Sequence, residues 1–362
     1  MILHYNPFIL KYLPEKYIEK YSEYLHPNFV DFRKEYVKNT KKISPWIYKS
    51  FQSFIDRTDA TENLIKVTNL YPHIEYDNNF NKSFETLCDE RAQKLLKENR
   101  KINIYWSGGL DSTTMLFVFL NNIRNKDQIT VKLNYNSILE SGYVFDTYIK
   151  DQLNYTIETV QLENLTYNED EIYLTGHPAD QISFVNAKNI EPMLINKENM
   201  NSESPILDHI EESVYLFFEP ALKKFPKKIN TVSEFLWFCG YNYRWQNACL
   251  ASFYLIRNNN LKANYRDVVR GFFDNEEFQQ WSMNNTEKDP KDRDSKIYTK
   301  RLIRKLAGEE IEDYVKNKKR NPSVYVNYDR NYLFTTKDFE NIYIDNDIFK
   351  DVMRNVNLIE RG

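Results

Sequence analysis

The chain has 362 residues, enough for one large domain or two smaller ones, each with its own core. Its 52 acidic residues against 49 basic ones leave no global positive charge for a nucleic-acid backbone, so nucleic acid is not an expected partner. No apolar run approaches the roughly 18 residues of a membrane span, and Met1 to Phe8 lacks the basic start and apolar core of a signal peptide.

Residues 1 to about 80 are rich in Tyr, Phe, Lys and Glu. The spacing of Tyr17, Tyr21, Tyr24 and Leu25, and then of Trp46, Phe51, Phe54 and Ile55, predicts a helical N-terminal region over 1–82. It reads either as a partner surface or lid, or as a structural cap. His4, His26 and His73 stand apart from one another, and isolated histidines are more often surface or core residues than ligands. Ser83 or Asn81 caps a predicted helix from Phe84 to about Asn99, with Phe84, Leu87, Cys88, Ala92, Leu95 and Leu96 on one face.

Ile102, Ile104 and Trp106 alternate as in a strand, and Met115 to Leu120 is apolar on every face, as in a buried helix. Between them lies Ser107-Gly108-Gly109-Leu110-Asp111-Ser112. The two glycines let a ligand approach the main chain. The loop amides and the N-terminus of the next helix suit a phosphate, with the hydroxyls of Ser107, Ser112 and Thr113 adding to the cradle. No lysine follows the second glycine, which excludes the Gly-x-x-x-x-Gly-Lys-Ser/Thr loop.

Ile129, Val131 and Leu133 predict a second strand, Tyr155 to Leu162 (through Ile157, Val160 and Leu162) a third, and Ile172 to Leu174 a fourth. Helical stretches between them, notably Val144 to Leu153, make strand-helix-strand units and therefore an α/β fold with a mostly parallel sheet. The fourth strand ends in Thr175-Gly176-His177-Pro178-Ala179-Asp180-Gln181, a tight turn that aims Asp180 toward the edge where the phosphate loop lies. Such a carboxylate suits Mg2+ on pyrophosphate, and the plainer alternative is a cap of the next helix.

Residues 200 to 265 read as mainly helical, with Trp237, Phe238, Trp245 and Tyr254 in the core or, alternatively, forming a stacking platform. Lys300 and Arg304 lie four apart on one helical face, which is either a phosphate clamp or a solvated basic surface. Val324, Val326 and Tyr328 alternate in a C-terminal extension over 321–362. Cys88, Cys239 and Cys249 are too scattered for a Cys-x-x-Cys motif, so the expectation is packing thiols in a reducing cytoplasm.

Ser-Gly-Gly-x-Asp-Ser after a first strand resembles the signature of the ATP pyrophosphatase (PP-loop) superfamily, and further segments are similar to asparagine synthetases. Gly176 and Asp180 match their Gly-Glu-Gly-x-Asp-Glu, where His177, Pro178 and Gln181 depart from it. Phe272-Phe273-Asp274 resembles their Pro-Phe-Leu-Asp, Lys300 to Arg304 their Lys-x-x-Leu-Arg, and Leu306 to Lys319 their Leu-Pro-Glu-Glu-Ile segment through Glu309, Glu310, Ile311 and Lys318. No glutaminase domain is expected, since Ile2 stands where that domain carries a cysteine.

The resemblance implies a Rossmann-like sheet of the adenine nucleotide alpha hydrolase type over 83–320. It implies ATP as co-substrate, cradled by Ser107, Gly108, Gly109, Leu110, Asp111, Ser112, Thr113, Gly176 and Arg304, with the adenine near Leu133 and Asn134. Asp111 and Asp180 would hold Mg2+, Lys300 would stabilise charge, and His177 would take the acid-base role. The implied reaction is AMP-forming amide ligation between a small carboxylate and ammonia or an amine. The implied partners are a separate amine-donating protein and a second copy in a homodimer. Rival readings are a nucleobase- or tRNA-modifying PP-loop enzyme and a non-catalytic ATP-binding module.

Overall fold

A computed structural model of the chain describes residues 2–5, 7–25, 27, 29–30, 55–60, 67–158, 167–182, 194–196, 198, 200–201, 203–250, 265–285, 296–317, 332–336 and 341–361. Trp46, Phe51, Phe54, His26, Val160, Leu162, Tyr254, Lys318, Lys319, Val324, Val326 and Tyr328 lie outside them.

The elements used below are, in chain order, β1 (Ile2–Tyr5), α1 (Pro7–Tyr12), α2 (Phe84–Leu96), β2 (Ile102–Tyr105), α3 (Leu110–Asn122), β3 (Ile129–Leu133) and α4 (Tyr135–Glu140). They continue with β4 (Asn154–Ile157), β5 (Ile172–Thr175), α5 (Ala179–Ile182), α6 (Glu212–Lys224), α7 (Val232–Tyr243), α8 (Trp245–Leu250) and β6 (Val269–Gly271). The last are α9 (Glu276–Asn284), α10 (Ile297–Ala307), α11 (Glu312–Asn317), β7 (Tyr332–Thr336), β8 (Asn341–Tyr343) and α12 (Asn346–Arg361).

Five strands form one sheet in the order β4-β3-β2-β5-β6, with every neighbouring pair parallel. The architecture is α/β and Rossmann-like. After β2 the chain winds outward through β3 to β4, and then returns to place β5 on the other side of β2. The loops that leave β2 and β5 therefore diverge at a crevice, the position where open α/β sheets take ligands.

Both faces of the sheet are covered, as parallel sheets require. Ile102, Ile104, Ile129, Ile172 and Leu174 pack into a large cluster with α2, α6, α7, α8 and α9. Trp106, Val131 and Leu133 join a second cluster with Leu116, Phe117, Ile303 and Ile311. Alternation put Trp106 with Ile102 and Ile104, but β2 ends at Tyr105, and beyond that point the two-residue period no longer holds. Ser83 caps α2 by accepting from the Thr86 amide at 3.1 Å, and α2 stops at Leu96. The helical stretch expected over 144–153 is a short α-helical turn, Gly142–Val144, that runs into a π-helical stretch, Phe145–Ile149. Trp237, Phe238 and Trp245 are core residues.

The two ends of the chain, read from sequence as separate additions, meet in a second sheet. β1 pairs with β7, and β7 with β8, both antiparallel. Tyr5, Ile9, Leu13, Leu333, Ile344 and Val352 share one core under it, and Tyr17 donates to Asp351 at 2.7 Å. The expected helical N-terminal region thus contains a strand. Its tyrosine-rich part, Glu15–Tyr17 and Glu19–Tyr21, is 3₁₀ rather than α.

Ala60, Leu70, Tyr71, Ile74, Tyr76 and Phe80 pack against the large core, whereas Ile55 and Val67 pack into the core of the chain ends. Arg57, only 2% exposed, donates to the carbonyls of Tyr71 at 2.6 Å, Pro72 at 3.1 Å and Tyr241 at 3.3 Å, and to Gln279 Oε1 at 2.5 Å. Its guanidinium lies 4.7 Å from the Tyr241 ring centre and 4.9 Å from that of Trp245. His73 is a core histidine, with Nε2 2.7 Å from Asn242 Oδ1 and its pKa pushed down to about 3 by burial and by Arg57. Replacing Arg57 with Leu takes the guanidinium donors from the buried carbonyls of Tyr71 and Tyr241, while Gln279 Oε1 keeps the Tyr241 hydroxyl. That should cost about 3 kcal/mol or more, read as a lowered denaturation midpoint at unchanged slope.

Candidate functional site

The loop after β2 is shaped by close approaches that only glycine permits. Gly108 has φ +75°, and a Cβ there would stand 2.7 Å from the Ser137 carbonyl oxygen. Gly176, at the end of β5, backs directly onto the loop, where a Cβ would lie 2.9 Å from the Ser112 amide nitrogen. Thr113 is the first residue of α3 whose amide closes onto the helix, 2.9 Å from the Gly109 carbonyl. The amides of Leu110, Asp111 and Ser112 precede it at the positive end of the helix, an arrangement suited to an anion.

The hydroxyls divide into two groups. Ser107 is exposed, and its Oγ lies 3.0 Å from Ser112 Oγ and accepts from the Gly109 amide at 3.3 Å. Thr113 is fully buried and belongs to the scaffold, accepting from Trp106 Nε1 at 3.0 Å and lying 2.9 Å from the Tyr314 hydroxyl. The expected part for Thr113 in the cradle is therefore limited to its place in the helix.

Asp111, in the first turn of α3, and Asp180, in the first turn of α5, come from loops of neighbouring strands and converge on one cation. That cation is Lys296, whose Nζ lies 2.5 Å from Asp111 Oδ2 and 2.9 Å from Asp180 Oδ1. Side-chain exposures are 20% for Asp111, 22% for Lys296 and 36% for Asp180, so the group sits at the mouth of the crevice rather than in the core. Lys296 immediately precedes α10, which packs against α3, and its carbonyl accepts from the buried Thr299 hydroxyl and from the Lys300 amide, both at 2.9 Å.

The charges sustain one another. Burial alone would push the Asp180 carboxyl up, but the Lys296 ammonium reverses this and holds it below the ordinary carboxylate value. Burial opposes the charge on Lys296, yet Asp111 and then Asp180 hold its pKa well above that of an ordinary lysine. His177, half-buried at the end of β5, has its pKa lowered by burial, against the pull of Asp180 and with the help of Lys296, so its ring is neutral at pH 7.

The other expected site residues have these surroundings. Lys300 lies one turn further along α10, half-buried, and the cation on the two carboxylates is Lys296. Arg304 is engaged by Glu312, with Nε 2.6 Å from Oε2, which ties α10 to α11. The Leu110 carbonyl accepts from Thr114 at 2.8 Å. Leu133 is a core side chain, and Asn134 caps α4 by accepting from the Ser137 amide at 2.9 Å. Asp274 lies half-buried beyond β6 near Cys249, with its carboxyl raised by burial.

Lys296, Lys300 and Arg304 repeat at intervals of four on one helical face, so the spacing alone leaves the register open by one turn. Tyr314 and Ser141, which both reach the Gly108 carbonyl, carry no signal in the sequence.

Among the described residues, no group of three or more His, Cys, Asp and Glu side chains is arranged to hold a metal ion. Asp111 and Asp180 are two carboxylates already gathered around one positive charge, which suits a hard cation completed by ligand oxygens. Also among the described residues, no helix is long and apolar enough to cross a membrane. No protein-family model, no curated protein and no solved structure matches the chain.

The electrostatic cluster has a defined pH signature. The folded pKa of Asp180 lies below its unfolded value, so its pairing stabilises the fold above about pH 4 and is lost as pH falls through the folded value. In Lys296→Met the two carboxylates face each other without the cation, and one of them takes a raised pKa. Protonating that variant therefore stabilises it. The gap in Tm between wild type and Lys296→Met should narrow as pH falls from about 7 to 4.5. A gap constant across that range would mean that Lys296 is not coupled to the acids.

Proposed function

We propose that the chain is an ATP-dependent, AMP- and pyrophosphate-forming amide ligase of the asparagine synthetase type, built on the PP-loop form of the Rossmann-like fold. The observation that carries this reading is the convergence of Asp111 and Asp180 on Lys296, at the mouth of a glycine-shaped loop that opens a helix. A nucleotide triphosphatase of the other common class would need a lysine inside the loop. Here the lysine comes from a distant helix, which fits an enzyme that cleaves between the alpha and beta phosphates.

In this reading the amides of Leu110, Asp111 and Ser112, with the Ser107 and Ser112 hydroxyls, hold the pyrophosphate portion of ATP. Asp111 and Asp180 would hold Mg2+, which neutralises the pyrophosphate leaving group when bound. Lys296 is the mobile charge. Its ammonium balances the carboxylates in the free protein and turns to the alpha phosphate as negative charge grows there during adenylation of the substrate carboxylate. His177, neutral at pH 7, would accept the proton released when ammonia or an amine attacks the acyl adenylate. The amine arrives free, on the substrate, or from a separate donor protein.

The direct test is isotope exchange between ATP and labelled pyrophosphate, screened over amino acids and small carboxylates. One carboxylate should stimulate exchange, and an inert panel, with no AMP formed from any member, would remove the ligase reading. With that substrate in hand, Asp111→Ala and Asp180→Ala should each abolish exchange while the protein stays folded. Lys296→Ala should lower turnover about a hundredfold to a thousandfold with little change in ATP binding. Lys300→Ala should change turnover by less than about tenfold, under roughly 1.4 kcal/mol. If instead the Lys300 variant is the crippled one, the catalytic cation has been assigned one helical turn too early.

A further inference from the structure

The Gly108 carbonyl, at the turn of the loop, accepts two hydroxyl hydrogen bonds, from Tyr314 at 3.0 Å and from Ser141 at 2.7 Å. Tyr314 belongs to α11 and Ser141 directly follows α4, so two elements remote in sequence meet on one peptide oxygen. Chemistry sets the direction of the bonds behind Tyr314. Trp106 Nε1 can only donate, and it donates to Thr113 Oγ1 at 3.0 Å. The Tyr314 proton goes to the Gly108 carbonyl, so the 2.9 Å contact between the Thr113 and Tyr314 hydroxyls is donated by Thr113. The result is a one-way chain from Trp106 through Thr113 and Tyr314 to the Gly108 oxygen, in which each bond polarises the next. Burial raises the Tyr314 pKa, which keeps the phenol a donor.

A trans peptide is planar, with the carbonyl and the following N–H on opposite sides. Holding the Gly108 oxygen toward Tyr314 and Ser141 therefore aims the Gly109 N–H the other way, to the side of Ser107 Oγ, 3.3 Å away. This plane turns on ψ of residue 108 and φ of residue 109, and with glycine at both positions the opposite orientation meets no Cβ penalty. A flipped plane would present a carbonyl oxygen to the mouth of the loop, a partial negative charge where the anion belongs.

We propose that Tyr314 and Ser141 lock the Gly108–Gly109 peptide in the orientation that accepts an anion, with Tyr314 acting as a positioning residue through this peptide. The proposal deepens the phosphate-binding reading of the loop and rests on it. It also gives α11 a task in the site. A shift of α11 that withdraws the Tyr314 hydroxyl would release the peptide and weaken phosphate binding, although Tyr314 itself does not touch phosphate.

The chain has only 8 glycines, so a protein labelled with nitrogen-15 glycine has few amide resonances and Gly109 can be followed singly. In the ligand-free wild type, Gly109 should give one resonance. Tyr314→Phe and Ser141→Ala should each broaden it or add a second, and saturating inorganic pyrophosphate should restore one. Pyrophosphate binding should weaken about fivefold to fiftyfold in each variant, as loss of one such hydrogen bond implies. If Tyr314→Phe fails to fold, Ser141→Ala carries the same test.

The lock is overturned by an unchanged Gly109 resonance in the variants, or by pyrophosphate affinity within about twofold of wild type. Failure of the wild type to bind pyrophosphate would overturn the phosphate reading instead, and the ligand-free spectra would still decide whether the hydroxyls hold the peptide.

Discussion

Two carboxylates, delivered by the ends of neighbouring parallel strands, are held together by the ammonium of Lys296, and the crevice is organised around that shared charge. Two carboxylates about 5 Å apart repel by roughly 3 kcal/mol at an effective dielectric near 20, a figure that solvent reduces where a side chain is partly exposed. A cation between them turns this repulsion into attraction. The strand order makes the arrangement possible, because β2 and β5 are adjacent while their outgoing loops part to opposite sides. The lysine comes from far along the chain. α10, packed on α3, brings the preceding Lys296 to both acids.

Around this group the loop is held by backbone contacts more than by side chains facing the crevice. Gly176 lets β5 press against the Ser112 amide, and Gly108 lets the turn press against the Ser137 carbonyl. Thr113, Tyr314 and Ser141 occupy the inner side of the loop, and Ser107 is exposed on its outer side. The division is what an anion cradle needs, since amides aimed in advance require no rearrangement when charge arrives. α10 belongs to both hydrophobic clusters, with Leu302 in one and Ile303 in the other, so the element that carries Lys296 is anchored on two sides.

The unit built from the chain ends and the segment around Arg57 frame this centre. β1 pairs with β7 across almost the whole length of the chain. Arg57 gathers carbonyls from Tyr71, Pro72 and Tyr241, drawing residues that precede the first strand of the large sheet into its core. A buried guanidinium with planar donors can satisfy several carbonyls at once, which no apolar side chain can do. Hydropathy patterns register such a residue as surface.

Local signals sufficed for the local features. Ile102 and Ile104, the paired glycines and the apolar run from Met115 predict strand, loop and helix, because the two-residue and 3.6-residue periods and the freedom of glycine act within a few positions. The parallel sheet follows from strands separated by helical stretches, and the placing of Asp180 at the same edge as Asp111 follows from the parallel sheet. Only the tertiary structure chose among Lys296, Lys300 and Arg304, since helical spacing is blind to a shift of one turn and the answer depends on which cationic group reaches the carboxylates once α10 has docked. Thr113, Tyr314 and Arg57 were equally beyond reach, each deciding its role through partners far away in sequence. The sheet joining the two ends is the extreme case: a strand pairing is fixed by its partner, and for Ile2 the partner is Thr336.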